Sequence, residues 1–142
     1  MSSHPTLPMT PAQRELFDAA VAKQALSYSP YSHYKVGAAI RTKAGNVYAA
    51  CNIENAAYPQ STCAEASAIA IMVANGEREI AEVLTVCDGD MIGTCCGGCR
   101  QRIREFAPLD TPIYACGPEG LRAIFTLDQL LPNSFGPEHL LG

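Results

Sequence analysis

Residues 63–106 decide the fold, and they read CAEASAIAIMVANGEREIAEVLTVCDGDMIGTCCGGCRQRIREF. The first part, 63–73, is rich in alanine, carries apolar residues at helical spacing and is soon followed by an Asn-Gly pair, which is typical of a helix end. The apolar run 83–87 predicts a short buried strand, and 99–106 predicts a further helix. Helix, strand and helix in this order are typical of an α/β protein.

The sequence on either side continues this alternation. An N-cap threonine and a first-turn proline predict a helix over 11–27. Two β-rich runs, 35–42 and 46–52, surround a short turn and predict an antiparallel hairpin. Further short strands are expected at 111–116 and 123–125. Together these elements predict a three-layer α/β/α sandwich around a mixed five-stranded sheet.

Length and composition indicate one folded unit. The chain has 142 residues, of which 48% are hydrophobic and 17% are charged. This balance argues against disorder and predicts a large core, with some apolar surface left for another subunit. Because no linker, repeat or low-complexity tract interrupts the chain, we expect a single domain over residues 1–142, with 1–9 as a loose N-terminal arm.

Charge and hydropathy exclude several kinds of partner. Ten Lys and Arg stand against 14 Asp and Glu, which gives a net charge of -4, and the basic residues are scattered. We therefore expect neither nucleic acid nor membrane as a partner. No apolar run approaches the roughly 18 residues that a spanning helix needs, and the N-terminus lacks the pattern of a signal peptide. These features predict a cytoplasmic protein.

The cysteines point to a metal site. Cys96 and Cys99 have the C-x-x-C spacing that lets two sulfurs meet one zinc ion, and Cys63 can supply a third. All three lie where helices are expected to begin, and a helix N-terminus favours the thiolate form. Three protein ligands leave a position for water, whose proton the nearby Glu65 could take. A C-x-x-C pair by itself is also typical of redox motifs and of structural zinc sites, so those interpretations stay open at this point.

The spacing of these motifs resembles that of a known family. Cys-Ala-Glu followed about thirty residues later by Cys-x-x-Cys is similar to the zinc deaminase signature. The surrounding sequence resembles the small cytidine deaminases, and the similarity runs in order over nearly the whole chain. It is carried by Pro30-Tyr31-Ser32, 36–39, 51–56, Cys99-Arg100-Gln101 and 130–137.

The resemblance implies an activity and a cofactor. The activity is zinc-dependent hydrolysis of cytidine and 2'-deoxycytidine to uridine and 2'-deoxyuridine with release of ammonia, as part of pyrimidine salvage. The resemblance assigns one zinc per chain to Cys63, Cys96 and Cys99, and the proton transfers to Glu65.

The resemblance also implies how a nucleoside is bound. It assigns Asn52 and Glu54 to the sugar hydroxyls, and Tyr34, where the family usually has phenylalanine, and Ala64 to the base. It further implies a homotetramer in which Phe135 reaches the pocket of a neighbouring subunit. From their own chemistry alone, Asn52 and Glu54 could end a strand and cap a turn, and Tyr34 could belong to the core. Since no phosphate-binding loop is present, nucleotides should be poor substrates.

Two residues depart from the family pattern. Ala66 follows the glutamate where the family often has arginine, and Cys95 precedes the Cys-x-x-Cys pair where it normally has proline. Three thiolates around Zn²⁺ leave a net charge of about -1, so we expect the helix N-termini and Arg100 to offset it. Cys95 is either a spare thiol or an alternative ligand.

Two alternative functions remain: a deaminase of a modified cytosine nucleoside such as an aminonucleoside antibiotic, and a noncatalytic structural zinc module.

Overall fold

A computed structural model describes residues 5–142 of the chain. Its helices and strands follow the predicted alternation. In chain order they are α1 (Pro11–Gln24), β1 (Val36–Thr42), β2 (Val47–Cys51), a short 3-10 helix (Tyr58–Gln60), α2 (Ala64–Ala74), β3 (Ile80–Cys87), α3 (Gly97–Phe106), β4 (Pro112–Gly117), β5 (Gly120–Thr126), α4 (Leu127–Leu130) and α5 (Glu138–Leu141).

The five strands form one mixed sheet in the order β2-β1-β3-β4-β5. Only β3 and β4 run parallel, and the other neighbours are antiparallel. The predicted hairpin is confirmed, with Ala39 of β1 opposite Ala49 of β2. Its turn contains Gly45 at φ +95°, a backbone conformation that favours glycine.

Helices cover both faces of the sheet. Helix α1 packs its buried Leu16 and Ala20 on one face, against Leu84 and Val86 of β3. Its close approach is possible because β1 has Gly37, where a Cβ atom would lie 2.1 Å from the carbonyl oxygen of Ala20. Helices α2 and α3 cover the opposite face and bury a second apolar cluster that includes Ala68, Met72, Val83, Ile103 and Ile113. The predicted three-layer α/β/α sandwich is confirmed.

Two helix boundaries differ from the prediction. Helix α1 ends at Gln24 instead of residue 27, because the N–H groups of Leu26 and Ser27 donate to carbonyls three residues back and the N–H of Tyr28 donates to Asn52 O. Helix α3 begins at Gly97, two residues earlier than expected. Gly97 and Gly98 therefore belong to the first turn of the helix, and Cys96 is its N-cap.

The N-terminal segment is held against the sheet where the structure describes it. Residues 5–10 have no regular secondary structure, but the N–H of Leu7 donates to Leu121 O at 2.8 Å. Met9 packs against the core beneath α1. This part of the predicted loose arm is thus anchored to β5, and residues 1–4 of the prediction lie outside the described residues. Across residues 5–142, none of the helices has both the length and the apolar character to span a membrane.

Candidate active site

The sheet topology brings the two cysteine motifs together. Helix α2 leads into β3 and α3 leaves it, so both helices have their N-termini at the carboxyl end of that strand. Cys63 is the N-cap of α2, Cys96 is the N-cap of α3, and Cys99 lies in the first turn of α3. Three thiols that are up to 36 positions apart in the sequence therefore meet at one point.

The three sulfur atoms have the spacing of a zinc site. They all lie within 4.8 Å of one another, and the Sγ atoms of Cys63 and Cys96 are 3.7 Å apart. Two sulfurs bound to one tetrahedral zinc at about 2.3 Å would be separated by about 3.8 Å, so the donor set fits this metal. Cys96 is exposed, Cys63 is half-buried and Cys99 is buried. The set consequently opens toward solvent on one side.

Cys95 lies apart from these three thiols. Its side chain is 2% exposed and belongs to the apolar cluster beneath α2 and α3. Burial raises the pKa of the Cys95 thiol to about 12, which keeps it protonated near neutral pH. Cys95 is therefore a buried residue outside the group of three sulfurs, although it lines a cavity of about 200 Å³ that Cys96 and Glu65 also line.

Hydrogen bonds among the three thiols favour one thiolate. The pKa of Cys63 is lowered to about 6, chiefly because Cys99 donates to it, with smaller contributions from Cys96 and from the charge of Arg102 that outweigh its burial. The pKa of Cys99 is raised in turn, because it is the donor in that bond and because it is buried. Cys63 is therefore the more acidic of the two thiols, because it accepts the hydrogen bond that Cys99 donates.

Glu65 lies beside the sulfurs at the bottom of a cavity of about 200 Å³. Its side chain is in the first turn of α2 and is 4% exposed. Burial is the main cause that raises the pKa of the carboxyl group above its usual range, and the neighbouring Cys63 raises it further. Tyr34, Asn52 and Ala64 line the same cavity. Three of the predicted substrate-binding residues are therefore in the same cavity as the predicted catalytic glutamate.

A wider cavity of about 430 Å³ adjoins the first and contains Glu54. The two share Asn52 and Cys63 as lining residues. The Glu54 carboxylate accepts from the N–H groups of Tyr31 (2.9 Å) and Ser32 (3.1 Å) and from the Ser32 hydroxyl. These bonds, led by the one from the Ser32 hydroxyl, lower the pKa of Glu54 and keep it ionised.

Asn52 is held at the junction of the two cavities. Its Oδ1 accepts from the Val36 N–H at 2.9 Å and from the Ser27 hydroxyl, while its Nδ2 donates to Tyr34 O at 2.9 Å. Asn52 and Glu54 thus do make the local, strand-ending and loop-holding contacts that the sequence left open. The same contacts fix the position of both side chains in the cavities.

The two aromatic residues, Tyr34 and Phe135, differ in their surroundings. The Tyr34 ring is partly exposed, and its hydroxyl interacts with Cys87; burial, reinforced by Cys87, raises the pKa of this phenol to about 12. Phe135 is 56% exposed and stacks on His139, with ring centroids 4.8 Å apart. Phe135 lines neither of the two cavities in its own chain. The structure therefore does not bring Phe135 to the site of the same subunit.

Two further residues of this region were not identified by the sequence analysis. Thr85 lines the smaller cavity, and its buried hydroxyl has no hydrogen-bond partner among residues 5–142. Arg102 reaches the sulfurs, with Nη1 3.7 Å from the Sγ of Cys99. The signal for Arg102 is its position three residues after Cys99, because residues i and i+3 are neighbours on a helix.

This arrangement defines a class of protein. An α/β/α sandwich that holds three thiols and a buried glutamate at two helix N-termini has the components of a zinc enzyme with an open metal position. Residues 11–115 match the family model of the cytidine and deoxycytidylate deaminase zinc-binding region. The chain belongs to this family, and zinc is its metal.

Individual members of the family are similar to this chain over most of their length. The cytidine deaminase of Halalkalibacterium halodurans is 35% identical over 125 residues, which cover 88% of this chain and 95% of that protein. The cytidine deaminase of Sporosarcina psychrophila is 39% identical over 114 residues, covering 80% and 84%. The 1.6 Å crystal structure of cytidine deaminase from Burkholderia pseudomallei superposes with a TM-score of 0.82 at 34% identity, covering 89% of this chain and all of that one.

Proposed function

We propose that this protein hydrolyses cytidine and 2'-deoxycytidine to uridine and 2'-deoxyuridine with release of ammonia. One observation carries the proposal: Glu65 shares a cavity with two of the three clustered thiols and with Tyr34, Ala64 and Asn52. The deaminase family of the chain and the names of its relatives support the same reaction. We further propose that the chain acts as a single domain in the cytoplasm.

The ligands that we propose for zinc are Cys63, Cys96 and Cys99. Bound there, the metal would supply a Lewis acid that makes water nucleophilic near neutral pH. A structural zinc site normally uses four protein ligands, whereas the sulfur group found in residues 5–142 has three members. This difference favours an enzyme over a structural zinc module.

We assign the proton transfers to Glu65. In the net reaction the oxygen of water replaces the amino group on C4, while one proton of the water reaches N3 and the other leaves with ammonia. A single carboxyl group beside C4 can take each proton from water and deliver it, first to N3 and then to the leaving nitrogen. Burial of Glu65 shields this group from bulk solvent during both transfers.

The nucleoside is proposed to span the two cavities. The base would lie in the smaller one against Tyr34 and Ala64, and the sugar hydroxyls would bond to Asn52 and Glu54 where the cavities meet. Within the described chain, neither cavity is lined by lysine or arginine. A phosphate group would therefore find an ionised Glu54 and no cation, so nucleotides should be poor substrates.

The test is to follow the loss of ultraviolet absorbance of cytidine, 2'-deoxycytidine, cytidine monophosphate and an aminonucleoside antibiotic, with and without a zinc chelator. We expect the two nucleosides to be turned over, the monophosphate to be turned over much more slowly, and all activity to be lost with the metal. Turnover of the antibiotic alone would establish the modified nucleoside as the substrate. Zinc binding without turnover of any compound would contradict the proposed activity.

We also propose a homotetramer in which Phe135 completes the site of a neighbouring subunit. The ring is more than half exposed and lies outside the cavities of its own chain. The main-chain carbonyl of Phe135 accepts from Gln101 Nε2 at 2.8 Å, which ties the tail to α3, and the ring is exposed beside His139. Several other large apolar side chains are exposed, including Tyr28, Tyr58, Met91, Ile124 and Leu140. Such surface is typical of an interface between subunits.

Phe135→Ala is expected to raise KM for cytidine about 10-fold while zinc content stays unchanged, because the base loses an aromatic contact. Steady-state kinetics and metal analysis measure the two quantities, and Leu140→Ala serves as the control for an exposed apolar residue of the same tail. Mixed oligomers of the Phe135→Ala and Glu65→Gln chains should regain sites with the normal KM, because each such site combines intact residues from two subunits. A fully active monomer in light scattering would contradict the shared site.

A further inference from the structure

Arg102 is the basic side chain that contacts the thiol cluster. It lies three residues after Cys99 on α3, and its Nη1 is 3.7 Å from the Cys99 Sγ. The backbone of the first turn leaves room for it: a Cβ atom at Gly98 would lie only 3.1 Å from the same nitrogen. The guanidinium group therefore reaches back along the helix, past a residue without a side chain, to the sulfurs.

The cluster needs a positive charge. Three thiolates around a divalent cation carry a net charge of about -1, and the buried Glu65 lies beside them. The residue after Glu65 is Ala66, which packs against the apolar cluster and brings no charge. Ala66 stands three residues after Cys63, as Arg102 stands three residues after Cys99. The two residues thus share the same spacing from a cysteine of the cluster, although Ala66 is the third residue of α2 and Arg102 the sixth residue of α3. Only Arg102 carries a cation.

The other arginine next to the motif is engaged elsewhere. Arg100, which the sequence favoured for offsetting the charge, donates to Cys95 O at 2.9 Å, to Leu130 O at 2.7 Å and to Thr94 Oγ1 at 2.6 Å. Its guanidinium group holds the loop before α3 and the segment after β5. Arg104 is likewise paired with Ser134 and Glu138. Among the described arginines of α3, the contact with a sulfur belongs to Arg102.

We propose that Arg102 supplies the positive charge that holds zinc on the three-thiolate set of this protein, in place of a cation at residue 66. This inference rests on the proposed zinc ligands, and it makes Arg102 a positioning residue that acts on the metal through Cys99. Because the Arg102 side chain is largely exposed, its contribution should weaken as salt screens the charge. Groups outside the ligand shell of this kind typically change metal affinity 10- to 100-fold, roughly.

The experiment measures zinc affinity by competition with a chromophoric chelator in 50 mM and in 500 mM salt. The variants are Arg102→Gln, which removes the charge, Arg102→Lys, which keeps it, and Arg78→Gln, which removes the same charge from an exposed residue that has no contact with the cluster. We expect Arg102→Gln to bind zinc about 10-fold more weakly at low salt, with a smaller difference at high salt. Arg102→Lys should retain most of the affinity, and Arg78→Gln all of it.

Two results would overturn the proposal. Equal zinc affinity in Arg102→Gln and the unmodified chain would show that the charge is not needed. An equal loss in Arg102→Gln and Arg102→Lys, independent of salt, would assign the effect to the shape of the guanidinium group. Failure of the proposed function is seen separately, because the unmodified protein would then bind no zinc or turn over no cytidine in the same preparation.

Discussion

Glu65→Gln is expected to lower kcat about 10²- to 10⁴-fold while the protein still binds zinc and cytidine. The amide has the size of the carboxyl group and fits the same buried position, but it can neither take a proton from water nor deliver one. The fold should be unaffected, since Glu65 is replaced by a neutral group in a site that already raises its pKa. Measurements of kcat, of zinc content and of cytidine affinity by calorimetry separate these effects.

The matched control is Glu105→Gln, the same change at an exposed residue of α3. It should leave kcat, zinc content and thermal stability unchanged. Near-normal kcat in a fully metallated Glu65→Gln protein would refute the proposed proton transfers. A Glu65→Gln protein that contains no zinc would instead show that Glu65 is needed to organise the metal site.

Cys96→Ala is expected to lose zinc and with it essentially all activity. Cys96 is the exposed N-cap of α3, and its Sγ lies 3.7 Å from that of Cys63, so its removal leaves two sulfurs for a metal that needs at least three protein ligands. The unfolding temperature should also fall, because bound zinc stabilises the folded state by mass action. Metal analysis should find one zinc in the unmodified chain and almost none in the variant.

Cys95→Ala is the matched control, since it makes the same change one residue earlier in the chain. The Cys95 side chain is buried among apolar residues, so its truncation should lower stability by about 1 kcal/mol and leave the zinc in place. The two adjacent thiols are thus expected to affect different properties of the protein. Full zinc content in Cys96→Ala together with an empty site in Cys95→Ala would reverse the assignment of the ligand.

Features set by neighbouring residues were predictable from the sequence. The N-cap and first-turn proline of α1, the hairpin around Gly45 and the glycine after α2 each depend on the backbone preferences of a few consecutive residues. The end of α1 was not predictable in this way. Shortly after Gln24 the main chain of Tyr28 bonds to Asn52 O, which comes from a distant part of the chain.

The same division holds at the active site. The sequence by itself was enough to propose the three thiols and Glu65, because the C-x-x-C spacing and the Cys-Ala-Glu motif are local properties of the chain. Only the tertiary structure decided which cation serves them. Arg100 donates a hydrogen bond to the carbonyl of Leu130, thirty residues further along the chain, whereas Arg102 contacts Cys99. A guanidinium group pairs with the acceptors that packing brings near it. Helix α3 and the segment after β5 meet only when β4 and β5, which separate them in the sequence, have joined the sheet.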